Sequence, residues 1–345
     1  MYNELIDKLE NDGILTFDEY LILIKNRDKC RDYLAERAAA VCERVYGKRV
    51  FIRGLIEFSN YCKNNCYYCG IRAGNANAKR FRLTVDEIIS CADEGYNLGF
   101  RTFVLQGGED MHYSDEDFCR VIKTIKQKYP DCAVTLSLGE RSYESYKALR
   151  EAGADRYLLR HETCNKKHYA KLHPAEMSFE NRIRCINDLK SLGFQVGIGF
   201  MIGSPYQTYN DLANEMLFLK KINPHMVGIG PFIPHCDTPF GEKTAGTAEL
   251  TTFMLSLIRL TLPNVLLPAT TALGTIDPIG REKGIMAGAN VLMPNLSPAD
   301  AKSKYMLYDG KICTGDEAAQ CVECLKKRIE KTGCQIVTDR GDYKS

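Results

Sequence analysis

The sequence predicts an α/β protein: one complete (β/α)8 TIM barrel with an N-terminal helical extension and a C-terminal cysteine-containing tail. Three observations predict it. Short apolar, β-rich runs recur near 51–57, 102–106, 133–138, 155–160, 195–201, 225–230, 265–270 and 289–293. Amphipathic helical stretches separate most of them. No linker rich in Pro, Gly or Ser divides the chain, and 345 residues suffice for one such barrel. A doubly wound open sheet also alternates strand and helix, but more often with roughly five to seven strands.

Taken in order, residues 1–48 read as helices, with Thr16 a cap before Phe17-Asp18-Glu19-Tyr20. The barrel spans 49–300. Its helices are expected at Thr84–Gly99, Asp115–Lys128, Ser178–Leu192, Tyr209–Lys221 and 247–261, the last with Leu250, Met254, Leu257 and Ile258 on one face. Residues 301–345 form the tail. Chemistry in such barrels gathers at the C-terminal ends of the strands.

Hydrophobic residues make up 45% and charged residues 26%, which is ordinary for a soluble globular protein. A net charge of +2 offers no electrostatic reason to expect nucleic acid or an anionic membrane as partner. The first residues lack the apolar core of a signal peptide, and no apolar run of about 18 residues could span a bilayer. A cytoplasmic enzyme is therefore expected. Cysteine is the unusual component, with 15 residues. An odd count without an export signal argues against disulfides. Three lie within 62–69 and three within 313–324. Most others, such as Cys42, Cys91, Cys119 and Cys185, fall in helical patterns where a thiol acts as a small hydrophobe.

Cys62-Lys63-Asn64-Asn65-Cys66-Tyr67-Tyr68-Cys69 reads CxxxCxxC directly after the first strand. Three thiolates can hold three corners of a cubane and leave the fourth iron open to a chelating amino acid, whereas an electron carrier uses four cysteines. No histidine sits near this loop to suggest zinc. The spacing, with Tyr68 before the last cysteine, resembles the radical S-adenosylmethionine (SAM) superfamily. That resemblance implies a 4Fe-4S cluster on Cys62, Cys66 and Cys69, with SAM chelated to the open iron and cleaved to a 5′-deoxyadenosyl radical. Gly107-Gly108-Glu109, after the second strand, resembles the superfamily's GGE motif for the methionine amino group. Glycines there let main-chain carbonyls approach a ligand.

Strand three ends in Ser137-Leu138-Gly139-Glu140, and strand four in Arg160-His161-Glu162-Thr163. Ionisable side chains at a strand end are costly to bury unpaired. Strand alternation turns Arg160 and Glu162 to one face, where they can contact cofactor or substrate. Arg182, in the following helix, could clamp a carboxylate in bidentate fashion. Strand five supplies Met201 and Ile202 among small and apolar residues suited to a flat adenine.

Longer strings sharpen the resemblance: Ile56-Glu57-Phe58-Ser59-Asn60, Leu136 to Glu140, Tyr157 to Thr163, Gly228 to Pro234 and Pro268-Ala269-Thr270-Thr271-Ala272 look like the FeFe-hydrogenase maturase family HydE. The match runs from roughly residue 50 to 325. It implies SAM contacts at Gly108, Glu109, Ser137, Glu162 and Arg182, and a substrate chamber of Arg160, Met226, Thr270, Thr271, Met293 and Tyr305. Its implied function is H-cluster assembly on a cysteine-ligated Fe(CO)2(CN) complex. Transient partners would be other hydrogenase maturases and an electron donor. Cys313, Cys321 and Cys324 resemble an accessory site for a second cluster, 2Fe-2S or 4Fe-4S, found in some members. Two positions depart from the family pattern. Tyr206, in Gly203-Ser204-Pro205-Tyr206-Gln207-Thr208, stands where glycine is usual, and Cys236 replaces an expected proline.

Biotin synthase and methylornithine synthase are the neighbouring alternatives. The first keeps a second cluster on interior strand cysteines, whereas Cys132 and Cys164 lie at strand edges here; the second lacks the tail cysteines. A non-catalytic iron–sulfur carrier or scaffold is the alternative of another class, and the missing fourth cysteine and the Gly-Gly-Glu motif speak against it.

Overall fold

The computed structural model describes residues 1–312 and 321–344. Its strands are β1 (Arg49–Ile52), β2 (Gly54–Ser59), β3 (Thr102–Gly107), β4 (Ala133–Ser137), β5 (Arg156–Leu158), β6 (Gln195–Ile198), β7 (Met201–Ile202), β8 (Met226–Val227), β9 (Gly230–Pro231), β10 (Val291–Leu292) and β11 (Gln335–Val337). One parallel sheet of six strands runs β2-β3-β4-β5-β6-β8, with helices between successive strands. The strands are buried because helices pack on their outer faces, which is why they read as apolar runs rather than alternations.

The expected complete eight-strand barrel is met only in part. Beyond β8 the chain is joined by single bridges, Met226 to Leu266, Pro268 to Val291 and Leu55 to Asn295, and by a short parallel ladder of β10 with β1, rather than by one continuous sheet. Pro268 has no N–H to donate, so the run expected as strand seven, 265–270, cannot pair regularly. The run expected at 51–57 is likewise two strands, β1 and β2, interrupted at the buried Arg53.

The expected helices are present: Val85–Asn97, Asp115–Lys128, Phe179–Ser191, Tyr209–Ile222 and Ala248–Thr261. Thr16, Thr84, Ser114 and Thr208 each form a capping box with the acidic residue three positions on, which marks these starts in the sequence. The helix Ala248–Thr261 is buried on more than the one face its pattern shows, because the N-terminal helix Arg31–Tyr46 packs against it. The tail does not begin as a separate unit at 301. Tyr305 and Lys311 are buried, β11 pairs parallel with β1, and Asp342 takes a 2.6 Å hydrogen bond from the buried Arg156.

At Tyr206 the backbone adopts φ 68°, a left-handed conformation that glycine enters without cost. The side chain is exposed, with the Lys171 and Lys243 ammonium groups 5.1 and 5.5 Å from its ring centre. Gln207 clamps the turn, accepting from the Gly203 N–H at 2.7 Å and donating to the Met201 carbonyl at 2.8 Å. Tyr206→Gly is expected to leave stability unchanged or raise it by about 1 kcal/mol, as strain relief outweighs two exposed cation–π contacts. Thermal unfolding of the two proteins checks this.

Candidate radical SAM active site

The cysteine loop leaves the C-terminal end of β2 and is strapped from inside by Arg80. Its guanidinium donates to the carbonyls of Asn60, Ile71, Arg72 and Asn75, gathering both ends of the loop around one half-buried cation. Sequence reasoning passed over Arg80, since nothing in a lone arginine signals four backbone acceptors. Arg80→Ala is expected to release the loop and lower the iron retained after anaerobic desalting several-fold, while the secondary structure seen by circular dichroism stays intact.

Burial pushes the thiols of Cys62, Cys66 and Cys69 up, Cys69 to about 12. Each is therefore a neutral thiol until a metal centre draws off its proton. The three Sγ atoms do not form a trio within 4.8 Å, the span of a single ion. Tyr68 turns its hydroxyl to His173 Nε2 at 3.1 Å, while His173 Nδ1 lies 3.0 Å from the Tyr169 carbonyl. Burial lowers the His173 pKa to about 3, with Arg182 adding to the effect, so the ring is neutral. A carbonyl can only accept, so Nδ1 carries the proton and Nε2 accepts from Tyr68.

Gly107-Gly108-Glu109 packs directly on this loop. A Cβ on Gly108 would stand 2.2 Å from the Tyr61 carbonyl oxygen and 2.7 Å from Cys62 Cβ, so only glycine fits. Glu109 accepts from the Glu140 N–H at 3.0 Å and pairs with Lys63 at 3.2 Å. Behind it, Asp110 accepts from Ser59 at 2.6 Å and from Arg82 at 2.7 and 2.9 Å. Burial opposes the Asp110 charge, but these donors outweigh it and lower its pKa.

Alternation at the end of β5 holds as expected. Arg160 and Glu162 face inward, with Arg160 Nη2 3.1 Å from Glu162 Oε2. His161 points away, 2.8 Å from Glu215 on the helix Tyr209–Ile222, both fully buried. The inner pair falls short of hydrogen-bond geometry. Arg160 Nε and Nη2 and Glu162 Oε2 stay buried without a hydrogen-bond partner, as does Thr270 Oγ1. Glu162 also holds φ at 65°, a strained conformation for a side chain with a Cβ. Arg182 donates to Glu140 at 2.5 Å and to the Arg160 carbonyl.

These groups surround a cavity of about 300 Å³ lined by the three cysteines, Tyr68, Gly107, Gly108, Glu109, Ser137, Arg160, Glu162, Arg182, Met201, Thr270 and Tyr305. A deeper space of about 140 Å³ shares Arg160 and Thr270 and adds Thr271, Met293, Glu57 and Lys311. A roomier groove of about 440 Å³ lies on the outer side of the Gly-Gly-Glu turn, but none of the three thiols lines it, so the inner cavity is the site. Two expected residues stand apart. Ile202 is buried and binds Phe232 through its carbonyl, and Met226 lies at the base of the sheet beside Arg53 and Arg156. Glu57 and Lys311 were missed. Their pairing across 254 residues of chain, at 2.6 Å, leaves no mark in local sequence. Cys321 and Cys324 flank the start of the helix Val322–Glu330, whereas Cys313 lies outside the described residues.

Residues 56–219 match the family model of the radical SAM superfamily. The chain is 45% identical over 341 residues to the [FeFe] hydrogenase maturase subunit HydE of Thermotoga maritima, covering 99% of this chain and 97% of that relative. The chain belongs to the HydE family of radical SAM maturases. It is 28% identical to 3-methylornithine synthase of Methanosarcina barkeri, covering 96% of this chain and 93% of that one. The crystal structure of methylornithine synthase (PylB) superposes with a TM-score of 0.81 at 24% identity, covering 96% of this chain and 97% of that one. That of the maturase HydG gives 0.82 at 20%, covering 98% and 76%. Both structures attest the fold. Membership makes the chain an enzyme, and the family implies a 4Fe-4S cluster and SAM. Among the described residues no helix is long and apolar enough to cross a membrane.

Proposed function

We propose that this HydE-family enzyme acts in the cytoplasm on a cysteine-ligated Fe(CO)2(CN) complex during assembly of the FeFe-hydrogenase H-cluster. The observation that carries it is the inward-facing Arg160–Glu162 ion pair, whose 3.1 Å contact lacks hydrogen-bond geometry, together with the buried Thr270 Oγ1 that has no hydrogen-bond partner, all beside the three thiols. Such groups are costly without a ligand, and a small polar complex with anionic and carbonyl-type ligands would satisfy them. When bound and reduced, the cluster would supply one electron to split SAM into methionine and a 5′-deoxyadenosyl radical, whose target would be the cysteine sulfur of the complex.

The chain's own groups arrange that reaction. Cys62, Cys66 and Cys69 would hold the cluster, and Glu109, Ser137, Glu162, Arg182 and Met201 line the space SAM would take. Arg182, oriented by Glu140, offers a guanidinium to the methionine carboxylate. Arg160, Thr270, Thr271, Met293 and Tyr305 line the inner space for the complex. The single bridges beyond β8 would close the sheet into the complete barrel that shields both ligands from water. Cys321 and Cys324, with Cys313, are assigned to an accessory cluster, and other maturases and an electron donor are the transient partners.

The test is anaerobic reconstitution followed by an assay of SAM cleavage with and without the iron complex. Cleavage stimulated by the complex and abolished in Cys66→Ala is the expected result. Cleavage indifferent to it would retire this substrate, and an intact cluster that neither binds nor cleaves SAM would point to a carrier.

A further inference from the structure

Cys236, which stands where the family pattern expects proline, is brought beside two other ligand types by the fold. Among the described residues, His235, Cys236 and Asp309 are the one trio whose ligand atoms all lie within 4.8 Å of one another. His235 Nδ1 is 3.7 Å from Asp309 Oδ1, Cys236 Sγ is 3.6 Å from the same oxygen, and Sγ is 4.0 Å from Nδ1. Bonds of about 2.0–2.3 Å to one tetrahedral ion give ligand–ligand edges of roughly 3.3–3.7 Å. The observed triangle is a few tenths of an ångström open, a closure that side-chain rotation supplies.

The Nδ1 of His235 accepts a 3.1 Å hydrogen bond from the Asp237 N–H, so the ring proton is on Nε2, and an ion would take the Nδ1 lone pair by displacing that N–H. The trio is also anchored. Asp309 Oδ2 accepts from the Cys236 N–H at 2.8 Å, leaving Oδ1 free to turn to an ion, and the Asp309 N–H donates to the Pro234 carbonyl at 3.0 Å. His235 is buried against Gly70, where a Cβ would stand 2.2 Å from its Cδ2, and Gly70 directly follows Cys69.

We propose that His235, Cys236 and Asp309 form a mononuclear site for a borderline divalent transition ion such as Zn²⁺ or Fe²⁺, with solvent as fourth ligand. A thiolate, an imidazole and a carboxylate together select such an ion over Mg²⁺ or Ca²⁺, which prefer oxygen alone. The ion would join two segments that both line the inner cavity: 232–233, which leads into the His235 loop, and 305–308, which leads into Asp309. It therefore acts as a clasp on the cavity wall, separate from the cluster and its cysteines.

The test uses cluster-loaded protein carrying Cys321→Ala and Cys324→Ala, titrated anaerobically with Co²⁺ as the probe. Expected are one equivalent of tetrahedral Co²⁺, a thiolate-to-cobalt band in the near ultraviolet, and no change in the cluster spectrum. Cys236→Ser should remove that band, and Asp309→Asn should weaken binding by at least about tenfold. Because Cys236 and Asp309 are partly or fully exposed, both variants should fold and load cluster normally. Undiminished binding in both variants, or no thiolate band in the parent, would overturn the assignment.

Discussion

Replacing Lys311 with methionine should destabilise the protein by about 3–5 kcal/mol, the cost of leaving one member of a buried ion pair alone. Lys311 Nζ lies 2.6 Å from Glu57 Oε1 and 2.9 Å from the Tyr305 carbonyl, and both side chains of the pair are almost wholly out of water. Glu57 also accepts from Asn295 at 2.7 Å. Burial raises the Glu57 pKa, and Lys311 is the leading influence in the other direction. Without Lys311 the carboxyl rises further and takes up a proton in the folded state. A folded state that binds more protons than the unfolded one loses stability as pH rises. The variant's deficit should therefore be small in mild acid and grow on passing upward through the Glu57 pKa. Glu57→Gln in the same chain should recover most of the loss and flatten that dependence. Denaturant unfolding at several pH values measures both, and a deficit independent of pH would show that packing rather than charge had been lost.

Arg182→Lys should weaken SAM binding about 10–100-fold while leaving cluster content unchanged. A hydrogen bond to a charged group contributes about 1.5–3 kcal/mol, which spans that range. The guanidinium uses Nε for Glu140 and Nη1 for the Arg160 carbonyl, so it stands locked in a plane on the cavity wall with further donors to spare. An ammonium keeps the charge but cannot hold Glu140, the carbonyl and a carboxylate together. The readout is the SAM concentration that half-perturbs the cluster's electron paramagnetic resonance signal. An unchanged midpoint would move Arg182 from ligand binding to the structural support of Glu140.

Local chemistry explains what was legible without coordinates. The capping boxes at Thr84, Ser114 and Thr208 announce helices because cap and acidic partner lie three residues apart. Cys62, Cys66 and Cys69 announce a cluster because one loop must supply all three corners. The common face of Arg160 and Glu162 follows from strand alternation alone, and His161 turning to Glu215 is its complement. Arg80, His173 and Glu57 were illegible for the opposite reason. Each acts through partners remote in sequence or through backbone carbonyls that any residue could provide.

The α/β order, the helix starts, the cluster loop and the family could be read from residues alone, since each rests on short-range spacing or contiguous strings. The folded chain was needed to show where regular pairing ends, at a proline without an N–H that leaves single bridges in place of a ladder. It also decided that the tail returns as β11 beside β1, and that His235, Cys236 and Asp309 meet. Those outcomes depend on contacts between residues tens to hundreds of positions apart, which folding alone brings within bonding distance.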